Sequence, residues 1–163
     1  MSIEAVRNYL KKWNLDHRVM EFEVSSATVE LAAQALNVIP ARIAKTLSFK
    51  DEEGCLLIVT AGDAKIDNGK FKATFGMKAR MLQPGEALAY TGHEIGGICP
   101  FAIINPHIKI YTDISMRRFD TVFPACGSSN SAIELSCDDL YVTAGSIDWV
   151  DVCKGWQDSQ MDC

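Results

Sequence analysis

Two apolar runs, residues 44–50 and 55–61, flank the tetrapeptide Asp51-Glu52-Glu53-Gly54, and this arrangement constrains the fold more than any other stretch. An acidic segment closed by glycine has the composition of a short hairpin loop, and the flanking runs carry the Leu, Ile, Val, Phe and Thr of paired strands. Gly62-Asp63 stops the second strand. The other segments have to be arranged around this hairpin.

Upstream, Ile3, Val6, Leu10 and Trp13 recur at three- and four-residue steps, which writes an amphipathic helix with Ser2 as its cap. Residues 19–24 alternate apolar and charged side chains like a half-buried strand. Ser25, Ser26 and Thr28 offer caps to a helix over Val29–Leu36, which ends in the turn Asn37-Val38-Ile39-Pro40. Downstream, helices are predicted over Asn68–Phe75 and, capped near Pro84, over residues 86–90. Short strands are expected at 102–104 and 108–111 around Asn105-Pro106. Two more, at 122–125 and 132–135, flank the polar loop Cys126-Gly127-Ser128-Ser129-Asn130-Ser131. Asp138 and Asp139 open a short final helix, and 149–153 alternates like a last strand. Strand pairs mixed with irregularly placed helices predict an α+β fold with a mixed, largely antiparallel sheet. One compact domain is assigned to residues 1–156, followed by a polar tail at 157–163.

With 163 residues, 48% of them hydrophobic, the chain can build one real core. No apolar run is long enough to span a bilayer and the first residues lack the order of a signal peptide, so the expected location is the cytoplasm. Six cysteines without a C-x-x-C pair or zinc-like histidine spacing predict reduced thiols and no metal. A net charge of −5 opposes indiscriminate nucleic-acid binding. Locally, however, Lys65, Lys70, Lys72, Lys78 and Arg80 face only Asp67 in sequence, which fits either an anionic partner or a solvated helix face.

The standard catalytic constellations are missing. His17, His93 and His107 are scattered, and neither a G-x-S-x-G elbow nor a phosphate-binding Walker loop occurs. What remains is backbone and one lysine. In Gly96-Gly97-Ile98-Cys99-Pro100-Phe101 the glycines let main-chain N–H groups approach a ligand and Pro100 fixes the exit, although a plain turn before a buried strand has the same composition. Lys45 begins an otherwise apolar strand, where its ammonium either meets an anion or ester carbonyl or snorkels to water. Asp63, at a strand end, is a ligand-facing group or a turn former. Cys99 is a nucleophile candidate without an evident histidine partner.

Taken in order, Ala44-Lys45-Thr46, Ala61-Gly62-Asp63, the Gly96 to Phe101 loop, Gly127-Ser128, Ile133-Glu134-Leu135-Ser136 and Asp139-Leu140 resemble the YbaK/ProX family of aminoacyl-tRNA deacylases and prolyl-tRNA synthetase editing domains. The resemblance spans about residues 25–152. It implies a compact domain with a curved mixed sheet, and trans-editing: hydrolysis of the ester of misacylated tRNA, in particular tRNA-Pro carrying a small amino acid, without a cofactor. The implied catalytic groups are Lys45, Gly96, Gly97 and Ile98, with the Gly97 and Ile98 amides polarising the ester carbonyl and water as nucleophile. The implied substrate-binding residues are Ser25, Thr28, Thr46, Asp63, Cys99, Pro100, Gly127, Ser128 and Asp139. Implied partners are misacylated tRNA and an aminoacyl-tRNA synthetase, the basic 65–80 segment being a contact for the acceptor stem. The other readings are a non-catalytic aminoacyl-tRNA binding module and a hydrolase using Cys99.

Overall fold

The structure, a computed structural model, describes residues 2–94 and 96–157; the tail from 158, with Cys163, lies outside the described residues. In chain order the elements are α1 (Ser2–Leu10), β1 (Met20–Glu21), α2 (Val29–Leu36), β2 (Ile43–Lys50), β3 (Cys55–Ala61), β4 (Lys65–Ile66), α3 (Asn68–Phe75), α4 (Pro84–Thr91), β5 (Ile108–Asp113), β6 (Thr121–Pro124), β7 (Ser131–Ala132), β8 (Leu135–Ser136), α5 (Cys137–Ala144), β9 (Trp149–Val150) and β10 (Cys153–Lys154). Six strands form one curled sheet in the order β8-β6-β2-β3-β5-β9, and β1-β7 and β4-β10 make two small ribbons. The fold is α+β with a mixed sheet. Its antiparallel pairs are β2–β3 and β6–β8, whereas β2–β6, β3–β5 and β5–β9 run parallel. Among the described residues no helix is long and apolar enough to cross a membrane.

The central hairpin forms as its composition demands. Every residue of β3 is buried, because β2 and β5 cover its edges and side chains cover its faces. Leu57, Ile58 and Val59 have no exposed surface and anchor the main core. A smaller apolar cluster, Ala32, Ala33, Ile43 and Phe123, lies apart from it beneath α2. Thr28 caps α2, its Oγ1 accepting from Leu31 N–H at 3.1 Å, and Asn37 closes the helix in the left-handed conformation at φ 56°. Asp67 and Ser136 cap α3 and α5 in the same way.

Several predicted elements are shorter or displaced. The alternating run 19–24 forms a strand only at Met20–Glu21, since its partner β7 is equally short; beyond it the chain follows the 126–131 loop, with Phe22 N–H donating to Asn130 O at 2.8 Å. Residues 102–104 are not a strand: Ala102 sits at φ 58°, which breaks an extended run. The stretches 132–135 and 149–153 each divide into two short strands belonging to different sheets. β4 was not anticipated, because a two-residue ribbon has no periodicity to read.

Buried polar groups tie the strand ends together below the Gly62 turn. The fully buried Asp113 accepts from Ser115 N–H and Val152 N–H, both at 2.9 Å, and Ser115 Oγ accepts from Ala61 N–H at 3.1 Å. The turn itself presses on the segment before β2. A Cβ on Gly62 would lie 2.1 Å from Pro40 O and 2.7 Å from Val29 Cγ1. Gly62→Ala is therefore expected to destabilise the protein by about 1–3 kcal/mol through overpacking against rigid backbone, measured by denaturant unfolding; an unchanged midpoint would contradict this packing.

Candidate functional site

β6 accompanies β2 only at Ile43↔Phe123 and Ala44↔Pro124. Further along that edge a different segment takes over: Leu82 N–H donates to Ser48 O at 3.1 Å and Lys50 N–H to Arg80 O at 2.8 Å. Between these partners the edge opens at Lys45 and Thr46, and a cavity of about 150 Å³ occupies the opening. Val29 and Ala32 of α2 and its cap Thr28 line one part, and Phe123, Ala125 and Ala132 supply apolar lining. Gly96 and Ile98 complete the lining together with Lys45.

Lys45 is half-buried, and its Nζ lies 3.4 Å from Gly62 O. Burial pushes its ammonium below the ordinary lysine range; Cys153, Asp63 and Glu30 act in the opposite direction, and Lys65 adds to the lowering. Thr46 Oγ1 is buried without a hydrogen-bond partner. A lysine and an unsatisfied hydroxyl therefore stand on the one stretch of β2 that no strand covers on this side.

The two glycine loops, far apart in sequence, meet here. Gly96 adopts φ 89°, and a Cβ on it would lie 3.0 Å from Ala27 Cβ. A Cβ on Gly97 would lie 2.7 Å from both Gly127 C and Ser128 N, so the loops pack backbone on backbone and a side chain at 97 would separate them. Gly97 N–H donates to Glu94 O at 3.0 Å, closing a turn that presents Gly96 and Ile98 to the cavity.

Of the residues singled out in the sequence, Lys45, Thr46, Thr28, Gly96 and Ile98 line this cavity. The others lie elsewhere. Asp63 is gripped by Arg118, whose two terminal nitrogens reach its carboxylate at 2.5 and 2.9 Å. Ser25 is exposed, and its Oγ reaches Ser129 O at 3.4 Å. Gly127 and Ser128 support the Gly97 loop from behind, with Ser128 Oγ donating to Asn130 Oδ1 at 2.9 Å and lying 2.7 Å from Ser131 Oγ. Asp139 is exposed in the first turn of α5, away from the lining, and Pro100 is buried behind the loop. In the basic segment, Lys70 spends its ammonium on Asp151 Oδ1 at 3.0 Å and Cys153 O at 3.1 Å, leaving Lys65, Lys72, Lys78 and Arg80 as the exposed cations. The walls supplied by Ala32, Phe123, Ala125 and Ala132 gave no signal beyond apolar periodicity.

Cys99 does have a histidine neighbour, which the spacing did not reveal: its Sγ lies 3.5 Å from His93 Nε2. The pair is not a catalytic dyad. Nε2 also lies 2.8 Å from Phe101 O, and a carbonyl only accepts, so Nε2 carries the proton and cannot take one from the thiol. Burial pushes the Cys99 thiol up to about 12 and lowers His93. Neither residue lines the cavity. Iodoacetamide at pH 8 is expected to leave Cys99 unmodified in the native protein and to alkylate it after denaturation, read by peptide mass spectrometry; rapid native alkylation would contradict its burial.

Residues 23–141 match the model of the aminoacyl-tRNA editing domain. An uncharacterized protein of Bacillus subtilis (strain 168), YwhH, is 55% identical over 158 residues, covering 96% of this chain and 100% of that protein. The proline–tRNA ligase of Thermotoga maritima is 32% identical over 91 residues, which is 55% of this chain but only 15% of the ligase. Among solved structures, one described as a candidate trans-editing enzyme for prolyl tRNA synthetase superimposes with a TM-score of 0.85 at 28% identity, covering 94% of this chain and 98% of the other. Sequence and architecture thus lead to the same assignment: the chain belongs to the aminoacyl-tRNA editing domain family.

Proposed function

We propose that the protein is a cytoplasmic trans-editing deacylase that hydrolyses the ester of misacylated tRNA, with tRNA-Pro carrying a small amino acid as its substrate. The observation that carries this reading is the cavity at the open edge of β2. Its volume of about 150 Å³ and its Ala32, Ala125 and Ala132 walls suit a short side chain, and Lys45 lines the same space as Gly96 and Ile98. A larger residue loses the fit, although each methylene changes the preference by only about 1–3 kcal/mol.

In this reading the aminoacyl group enters the cavity with its ester carbonyl toward the Ile98 amide. The Gly97 amide, already bonded to Glu94 O, holds the loop in shape. Lys45 supplies positive charge to the substrate near the reacting ester, where partial burial makes that charge more effective than in bulk water. Water adds to the carbonyl carbon, the oxyanion is held by the amide and the ammonium, and collapse breaks the bond to the ribose oxygen, which takes up the proton that the attacking water gives up. The products are the free amino acid and uncharged tRNA. The arrangement requires no nucleophilic side chain, consistent with the sealed state of Cys99.

Lys45→Ala is expected to lower kcat/KM for alanyl-tRNA-Pro by about 10²–10³, the loss typical of one oxyanion-stabilising donor. Stability should not fall, because a partly desolvated ammonium is removed. Since the protonated form is the active one and burial lowers its pKa, enzyme-catalysed hydrolysis should decline as pH rises through a value below that of an ordinary lysine. That alkaline limb should be absent in the variant's residual activity. Wild-type protein that binds a panel of mischarged tRNAs and cleaves none would favour the binding-module reading instead.

A further inference from the structure

We propose that the β4–β10 ribbon seats the sugar-phosphate backbone of the tRNA's single-stranded 3′ end, with Lys65 and Lys154 holding consecutive phosphates as the strand approaches the Lys45 cavity. The identity of the RNA rests on the deacylase reading; the ribbon's preference for a phosphate chain does not.

The register carries the argument. Lys154 and Lys65 are direct partners across the antiparallel ribbon, so their side chains leave the same face side by side. Like charges directly opposite each other destabilise a strand pair. Both lysines are exposed, and among the described residues neither forms an ion pair. Of the neighbouring carboxylates, Asp63 pairs with Arg118 and Asp151 with Lys70, while Asp67, the cap of α3, accepts from Lys70 N–H at 3.0 Å and attracts Lys154 without an ion-pair contact. Glu30, in the first turn of α2, acts on Lys45. The ribbon thus keeps two adjacent ammonium groups with no ion-pair partner among the described residues.

Its position gives the pair a purpose. β4 follows β3 through the short Gly62 turn, and Gly62 O is the contact of Lys45 Nζ. Lys65 and Cys153, one from each strand of the ribbon, both act electrostatically on the Lys45 ammonium. Lys45, Lys65 and Lys154 thus form a run of cations, each within reach of the next. An aminoacyl ester in the cavity places the terminal nucleotide at its mouth, and the phosphates behind that nucleotide need such a run. Of two anionic macromolecules, an acidic peptide and a nucleic-acid strand, the strand fits better, because evenly repeated charges match side-by-side lysines and counterion release rewards the contact.

The test is equilibrium binding of an RNA acceptor-stem hairpin with a single-stranded 3′ end, titrated across a range of salt, to wild type and to the double variant Lys65→Gln/Lys154→Gln. Losing two single-strand phosphate contacts should weaken binding about tenfold at physiological salt and flatten the slope of log Kd against log salt by about 1.4. The variant should melt no earlier than wild type, because a like-charge pair has been removed, and the single variant Lys154→Gln, at the lysine that does not act on Lys45, should hydrolyse the methyl ester of alanine at the wild-type rate. Unchanged RNA affinity and slope would overturn the proposal, as would parallel loss of RNA binding and methyl-ester hydrolysis in Lys154→Gln, which would mean that the ribbon shapes the cavity. RNA binding of the expected kind by a wild type that cleaves no charged tRNA would overturn the deacylase reading and retain the ribbon.

Discussion

The site exists because β2 loses its strand partner after Ala44 while its other edge stays fully paired with β3. A strand held along one edge keeps its geometry. The same strand, uncovered on the other edge for a short stretch, leaves room that side chains must fill or a ligand can enter. Here the filling is incomplete, since α2 and β7 contribute alanines where larger residues would close the space. Lys45 stands at that opening, half-buried because the hairpin fixes its Cα and the Gly62 turn receives its head group.

The electrostatics follow from this placement. Partial burial raises the cost of the Lys45 charge, and Asp63 and Glu30 offset some of it, so the ammonium is poised rather than quenched. Asp63 is itself held by Arg118, whose guanidinium also donates to Ser115 O at 2.8 Å and Trp156 O at 3.1 Å. Ser115 and Asp113 in turn bind the ends of β3 and the 152 segment. The charge beside the cavity is thus anchored to the core. The Cys99–His93 pair, by contrast, is turned inward to Phe101 O, which leaves a backbone amide, an ammonium and water as the agents of the proposed chemistry.

The hairpin and the helices could be read from the sequence because their signals are local: alternation or three-to-four spacing, bounded by caps such as Thr28 and Asn37. Lys45 and Gly96 could be found because each is the wrong residue for an ordinary strand or loop, a charge in an apolar strand and a glycine where the backbone turns left-handed, whereas Thr46 came only with the family resemblance. The cavity walls were hidden for the opposite reason. Ala32, Phe123 and Ala132 look like ordinary core residues, and only the divergence of β6 from β2 turns them toward a space. Asp63 and Asp139 stand outside the lining, since a carboxylate at a strand end or a helix start is equally suited to an ion pair or an exposed first turn.

The most direct test of the account is a crystal structure of the protein with a non-hydrolysable analogue, 3′-alanylamino-3′-deoxyadenosine, whose amide replaces the ester. The account predicts the alanyl methyl between Ala32 and Ala132, the carbonyl oxygen within hydrogen-bond distance of Ile98 N, and Lys45 Nζ turned from Gly62 O toward the ligand. An analogue bound with its amino acid outside the cavity, or with its carbonyl away from both Ile98 and Lys45, would contradict it.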